Sequence, residues 1–362
     1  MSDTSPSSSL STPQYLRWVE TRTLEACQRL ADRDTKDSAA DAFSFICSKL
    51  SSLSLPVFIS CLSYMPPNAP SMCFRVQVTV LQETFEKHPD LFTTDVFLKS
   101  LSILLKRLSD NDEQTTTAVS SAMFALTSTV LLPHLHDNDD AWSLSLILRP
   151  LFSTMSDGNR TLQEGATDSL IAVFKASGKL ILTPILPKLV AKLLKFFKTP
   201  SFYARANLSS AVSALISISS EDLFPFLSPI ISCLVSCTHD RGWKVRFSAV
   251  EAIGLLPEYL GKEVACYYQD VATVLKNLKS DKIKNVREIA STALMAFEAI
   301  KDFSGSMSSS QSNLIVNSPP RRWSISSAYF ETPSKNTDED NFTDSEVSDV
   351  PTFKKSHKIE IS

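Results

Sequence analysis

The chain has 362 residues, 43% of them hydrophobic, and carries 36 Lys and Arg against 39 Asp and Glu, a formal net charge of −3. This near balance lacks the basic excess that is typical of nucleic-acid-binding proteins, so we expect no nucleic-acid partner. Seven glycines are few for an α/β fold, which uses glycine in its many tight turns, and the composition therefore favours an all-α fold.

The first thirteen residues, MSDTSPSSSLSTP, are polar and predict a disordered leader at 1–13 without a secretory signal. Apolar stretches further along are interrupted by charge, as Lys188, Lys192 and Lys195 interrupt the stretch 180–197. We therefore expect no transmembrane segment and no membrane partner. The seven cysteines have no paired CxxC spacing, which predicts reduced thiols in a helical core rather than a zinc site.

An arginine recurs every 41 residues and begins the same helical pattern three times. Arg205, Arg246 and Arg287 are each followed at +3, +6 and +7 by small or aliphatic residues, a spacing that places those residues on one face of an α-helix. Four weaker copies occur upstream, with the arginine position taken by Lys36, Arg75, Thr115 and Gln163. The copy at Thr115 predicts that Ala118, Ser121 and Ala122 share the packed face.

A second, more apolar helix is predicted after five of these first helices, in DVFLKSLSILLKRL, SLSLILRPLFSTM, LPKLVAKLLKFF, LSPIISCLVSC and YYQDVATVLKNL. Each segment ends at a polar break, and Asp110, Asp157, Asp240 and Asp281 in four of the breaks are predicted to cap the next helix. Two helices in roughly 40 residues is the period of HEAT and armadillo repeats. We therefore predict an α-solenoid of about six to seven repeats over residues 14–303, stabilised by stacking of neighbours.

The segment HLHDNDD offers the best arrangement of metal ligands, namely His134, His136, Asp137, Asp139 and Asp140. It falls between the two helices of one repeat, where a solvated polar turn is expected, and we favour that simpler interpretation. The sequence contains no P-loop, GxGxxG, HExxH or GxSxG motif. We predict neither an enzyme nor a bound metal or cofactor.

Residues 304–362 form a serine-rich and then acidic segment, which predicts a disordered tail. Ser324 follows two arginines, and Ser318 and Thr332 precede prolines, so these three are candidate phosphorylation sites.

Charge is unevenly distributed along the predicted solenoid. Residues 14–160 contain 13 Lys and Arg against 17 Asp and Glu, net −4, whereas residues 161–303 contain 17 against 13, net +4. A basic excess of this kind can steer an acidic partner to the second half, although an ordinary solvated helix face would show it too.

Three segments, LADRDTKDSAADAFSFI, RGWKVRFSAVEAI and LKSDKIKNVREIASTALMAFEAI, resemble the plant TORTIFOLIA/SPIRAL family of microtubule-associated proteins, over roughly residues 14–303. The resemblance implies a HEAT array similar to the TOG domains that engage tubulin. It also implies a cytoplasmic, cytoskeletal location and a role in cortical microtubule organisation and directional cell growth.

By analogy with TOG domains, the resemblance implies contact through the turns inside each repeat, which here supply Lys49, Lys87, His88, Trp142, Lys175, Lys179 and Lys262. The turns between repeats form a second candidate face, with Arg241, Lys244, Lys282 and Lys284. Arg287 itself is interpreted as structural, with hydrogen bonds to neighbouring turns.

An alternative function is a general armadillo-type scaffold that binds other proteins in its groove and is controlled by phosphorylation of the tail. Such grooves are commonly lined by asparagine ladders, and the sequence offers only the isolated Asn207 and Asn277.

Overall fold

The computed structural model describes residues 11–305 except 33, 66–68, 111 and 137–141, with the backbone alone at 136 and 301–305. The described residues form helices and no strand. The helices are α1 Thr12–Arg29, α2 Lys36–Cys47, α3 Leu55–Leu62, α4 Ser71–Lys87, α5 Thr94–Arg107, α6 Glu113–Ala125, α7 Leu132–His136, α8 Ser145–Met155, α9 Arg160–Leu182, α10 Leu186–Lys198, α11 Arg205–Ser219, α12 Leu227–Cys237, α13 Trp243–Leu260, α14 Tyr268–Leu278 and α15 Lys284–Gly305. A π-helical segment, Leu126–Leu131, joins α6 to α7.

The helices form an α-solenoid, as predicted. First helices α2, α4, α6, α9, α11, α13 and α15 each pack against the next one in this series. Hydrogen bonds join equivalent ends of neighbouring first helices, from His88 to Cys47 at the C-terminal ends and from Arg246 to Asp281 at the N-terminal ends. The first helices are therefore parallel, so the turns inside repeats lie at one edge of the stack and the turns between repeats lie at the other.

Small residues set the close approach of the first helices. Ala249 and Ala252 of α13 and Ala290 and Ala293 of α15 are buried, at the positions that the arginine register predicts. A Cβ placed on Gly254 would lie 3.2 Å from the Cβ of Ala293, so this crossing has no room for a side chain on α13.

The predicted second helices are present as α5, α8, α10, α12 and α14, each with ends within two residues of the prediction. Helix α1 begins at Thr12, two residues before the predicted start of the solenoid, and packs against α2 and α3. Neither α1 nor α3 is marked by the repeat pattern. Helix α15 ends at Gly305, two residues into the predicted tail 304–362, and the rest of that tail lies outside the described residues, as do Ser318, Ser324 and Thr332.

The repeat copy aligned on Thr115 is one residue out of register. It places Ser121 on the packed face, but Ser121 is exposed, whereas Val119 and Met123 are buried. The position equivalent to the arginine is therefore Thr116, and the prediction is wrong because α6 has no arginine to fix its register.

Helix α9 changes direction near its C-terminus. Gly178 has φ 68° and ψ 178°, a conformation that is essentially restricted to glycine. The last helical turn of α9, which begins with Lys179, therefore points in a different direction from the rest of α9 and leads towards α10.

The continuous helical stretch Glu113–Leu135 is long and apolar enough to cross a membrane by length and composition alone. It packs against α4 and α9 inside the solenoid. A core helix meets the same two criteria, and its packing accounts for the apolar composition.

Candidate functional site

Two of the lysines predicted in turns inside repeats form ion pairs within the chain. Lys87 Nζ lies 2.5 Å from Glu83 Oε1, and Lys179 Nζ lies 2.7 Å from Glu221 Oε2. The hydrogen bonds from these carboxylates raise the pKa of both lysines. Their charge is therefore partly neutralised before any partner approaches.

His88 is also engaged, because its Nε2 lies 2.7 Å from the carbonyl oxygen of Cys47. A carbonyl only accepts, so Nε2 donates and the ring links α4 to α2. Lys49, Lys175 and Lys262 are exposed at the same edge of the solenoid.

Trp142 is a core residue. It is 6% exposed, its ring stacks on His134 with centroids 4.2 Å apart, and it meets the ring of Phe97 edge-on at 5.3 Å. The indole anchors the start of α8 to the repeat core, so it does not serve as the surface contact that the sequence suggested.

The possible metal ligands are not assembled in the described structure. His134 stacks on Trp142, while Asp137, Asp139, Asp140 and the His136 side chain lie outside the described residues. Within the described ranges no three His, Cys, Asp or Glu side chains are grouped to hold a metal ion.

Aspartates fold the turns between repeats. In four turns an aspartate Oδ1 accepts a hydrogen bond from the backbone N–H two residues later, in the pairs Asp110 with Asp112, Asp157 with Asn159, Asp240 with Gly242 and Asp281 with Ile283. In two of these turns the predicted capping role belongs to the residue two places later, since Asp112 and Asn159 are the N-caps of α6 and α9, whereas Gly242, the N-cap of α13, makes no side-chain cap.

Arg246 joins two successive turns. Its Nε lies 2.7 Å from Asp281 Oδ2 and its Nη2 lies 2.9 Å from Asp281 Oδ1, while Nη1 donates to the carbonyls of Asp240 and Arg241 at 2.9 and 3.1 Å. The Arg246 side chain is 14% exposed and that of Asp281 is 8% exposed. The bidentate pairing lowers the pKa of Asp281. These contacts give Arg246 the structural role that the sequence analysis assigns to Arg287.

The linkage varies in earlier repeats. Arg205 Nη1 lies 3.4 Å from Asp240 Oδ2. Gln163, which replaces the arginine in α9, donates to the carbonyls of Asp157 and Ser201 at 2.6 and 3.1 Å. The Gln163 amide thus joins two successive turns, as Arg246 does, but with neutral hydrogen bonds.

Cations cover the outside of the last two turns between repeats. Arg241, Trp243, Lys244, Lys282 and Lys284 are exposed, and we name these five residues the inter-repeat surface. They form one continuous area, because Arg246 contacts both turns at once. The aspartates of these turns point into the stack, so positive charge dominates outside.

One acidic side chain meets the inter-repeat surface from α15. Lys284 Nζ lies 3.4 Å from Glu288 Oε1, and both side chains are more than half exposed. Such a pair is weak in water, so Lys284 retains most of its ability to bind another anion.

Trp243 was not among the contact residues predicted from the sequence. It is the first residue of α13 and is 40% exposed between Arg241 and Lys244. Its position directly before the repeated arginine register was visible in the sequence, and an exposed indole offers a large contact area at an interface.

The described thiols are poor nucleophiles. Burial raises the pKa of Cys27 and of Cys237 to about 12, which keeps both thiols protonated near neutral pH. They act as small apolar core residues.

Comparison with known families gives a match over most of the solenoid. The model of the TORTIFOLIA1 N-terminal family matches residues 19–299. Microtubule-associated protein TORTIFOLIA1 of Arabidopsis thaliana is 28% identical over 304 residues, which cover 82% of this chain and 34% of that protein. TORTIFOLIA1-like protein 4 of the same plant is 28% identical, with 84% of this chain and 46% of that protein covered. The chain thus spans a third to a half of the length of these curated relatives.

Solved structures with a similar fold are helical-repeat proteins. A crystal structure of Kap121p bound to Pho4p has a TM-score of 0.55 at 11% identity, covering 81% of this chain and 30% of that one. A structure of Kap95p with RanGDP has a TM-score of 0.53 at 13% identity, covering 83% of this chain and 42% of that one. At these identities the likeness concerns the fold alone.

Proposed function

We propose that this chain, which belongs to the TORTIFOLIA1 N-terminal family, is a non-enzymatic protein that binds microtubules through the inter-repeat surface. The observation that carries the proposal is the continuous group of four exposed cations around an exposed indole. A relative that is 28% identical over 82% of this chain is named a microtubule-associated protein. The cellular role we propose is organisation of cortical microtubules during directional growth, with a location on the cytoskeleton.

The clustering of exposed cations favours this surface over the opposite edge, where the exposed Lys49 and Lys175 lie in different repeats. Lys87 and Lys179 are paired with carboxylates, and His88 is bonded inside the stack. Arg241 and Lys282 carry no ion pair within the described residues. The microtubule surface is strongly acidic, so attraction to this area falls as salt screens it.

A peptide-binding scaffold is the second candidate, and the structure gives it less support. Asn207, one of two asparagines expected to line a groove, donates a 2.7 Å hydrogen bond to Asp168 Oδ1 between α11 and α9. One N–H of the Asn207 amide is therefore used within the stack.

Co-sedimentation of the full chain with microtubules tests the choice of surface. We expect Lys282→Glu with Lys284→Glu to remove most of the protein from the pellet. The matched double variant is Lys49→Glu with Lys175→Glu, which makes the same charge change at exposed positions of the opposite edge. Equal loss in both variants, or loss only in the second, would contradict binding through the inter-repeat surface.

A further inference from the structure

The end of the arginine series leaves one guanidinium without a hydrogen-bonded carboxylate, and its charge contributes to the lowered pKa of the nearby Asp281. In α13, Arg246 holds the Asp281 carboxylate with Nε and Nη2 and holds the turn carbonyls with Nη1. In α15, Arg287 Nη1 donates to the carbonyls of Asp281 and Lys282 at 2.7 and 3.1 Å. No carboxylate is hydrogen-bonded to Nε or Nη2 of Arg287 among the residues that the structure describes.

The two arginines are held in the same pose by the same backbone. Each lies six residues after the aspartate of its turn, and each Nη1 contacts the carbonyl of that aspartate and of the next residue. The fork of Arg287 is thus oriented in advance, as the fork of Arg246 is. Preorganisation of this kind lowers the entropic cost of binding a carboxylate in two parallel hydrogen bonds.

The surroundings of Arg287 favour a carboxylate from outside the stack. Lys282 and Lys284 precede it in the same turn and are exposed, and Arg287 itself is half-buried at the edge of the inter-repeat surface. The acid nearest in sequence, Glu288, pairs with Lys284. A half-buried guanidinium beside two lysines binds an incoming anion more strongly than an isolated surface charge does.

We propose that Arg287 is a receptor for one Asp or Glu side chain of an acidic polypeptide partner, which binds to Nε and Nη2 as Asp281 binds to Arg246. The inference rests on the proposed function for the choice of surface and adds the residue that makes the specific contact. Lys282 and Lys284 attract the partner at longer range, and the Arg287 fork fixes one carboxylate in place.

The repeat geometry also predicts how such a partner lies. Arg241 and Lys282 hold equivalent positions in successive turns, so they are separated by about one helix spacing, roughly 8–10 Å. A polyproline II chain rises about 3.1 Å per residue with three residues per turn, so acidic residues three apart lie on one face of such a chain and match this spacing.

Binding of fluorescent poly-L-glutamate to the full chain tests the receptor. Arg287→Lys keeps the charge and keeps a donor for the two turn carbonyls, but it removes the fork. We expect it to raise the Kd about fivefold, because the two parallel hydrogen bonds of the fork are reduced to at most one. The matched control, Arg241→Lys, changes an exposed arginine of the same surface and is expected to change the Kd less than about twofold.

A second measurement follows binding to the wild-type chain itself. In the wild-type chain labelled with ¹⁵N, titration with poly-L-glutamate is expected to shift the Nε–H resonance that disappears in Arg287→Lys. An unshifted resonance, or equal effects of Arg287→Lys and Arg241→Lys on the Kd, would overturn the receptor. Poly-L-glutamate binding that needs Arg287, in a chain that stays out of the microtubule pellet, would support the receptor and contradict the proposed function.

Discussion

Asn207 of α11 donates a 2.7 Å hydrogen bond to Asp168 Oδ1 of α9, so two neighbouring first helices are joined by a carboxylate inside the stack. Burial raises the pKa of Asp168, the hydrogen bond from Asn207 partly offsets this, and Glu164 adds to the rise. The charged form of Asp168 is therefore a cost to folding.

This cost predicts a pH dependence. The folded pKa of Asp168 lies above the unfolded value of about 3.9, so the folded state becomes less stable as pH rises from the unfolded pKa through the folded one. Asp168→Asn keeps an acceptor for Asn207 and removes the charge. We expect its Tm to exceed that of the wild type at pH 7, with the difference lost below about pH 4. The exposed Asp41→Asn is the control, and a gain that is equal at both pH values would exclude this explanation.

The Arg246–Asp281 pair predicts a large loss on truncation. Arg246→Ala leaves a mostly buried carboxylate without its cation, and we expect unfolding to become easier by about 3 kcal/mol in urea denaturation. Arg160→Ala removes an exposed pair with Glu164 at 2.8 Å, and we expect less than about 0.5 kcal/mol. Similar losses for the two variants would show that the contact between turns adds little to stability.

The kink in α9 gives a backbone prediction. Gly178→Ala forces a Cβ into a conformation reserved for glycine, so we expect a loss of about 1–3 kcal/mol in free energy of unfolding. Gly158→Ala is the matched control, because its φ is not in the left-handed region and its Cβ would meet no atom within 4 Å. Equal Tm values for the two variants would mean that α9 straightens without cost.

The packed face of a first helix was predictable wherever an arginine at the equivalent position marked the register of the repeat. Arg246 and Arg287 mark both the start of the helix and the packed face, and the burial of Ala252 and Ala293 follows from their spacing. Helix α6 has no such residue, and its alternation of small polar and apolar side chains allowed an error of one position. Helix α1 precedes α2 and helix α3 follows it as the second helix of that repeat, and neither carries the repeated pattern, so periodicity did not reveal them.

The candidate surface was only partly predictable. The sequence identified the lysines of both edges, but a partner in another repeat, such as Glu221 for Lys179, is visible only in the structure. Trp142 stands in a polar segment of the sequence, which suggested a surface contact. Only its packing on Phe97 and His134 shows that it belongs to the core. Contacts about 40 residues apart decide which cations are left exposed, and sequence spacing does not report those distances.

Co-sedimentation of the wild-type full chain with microtubules at low and high salt tests the central claim most directly. We predict that most of the protein is in the pellet at about 0.05 M salt and in the supernatant at about 0.5 M, since the Debye length falls severalfold over this range. Protein that stays in the supernatant at the low salt concentration would contradict the account.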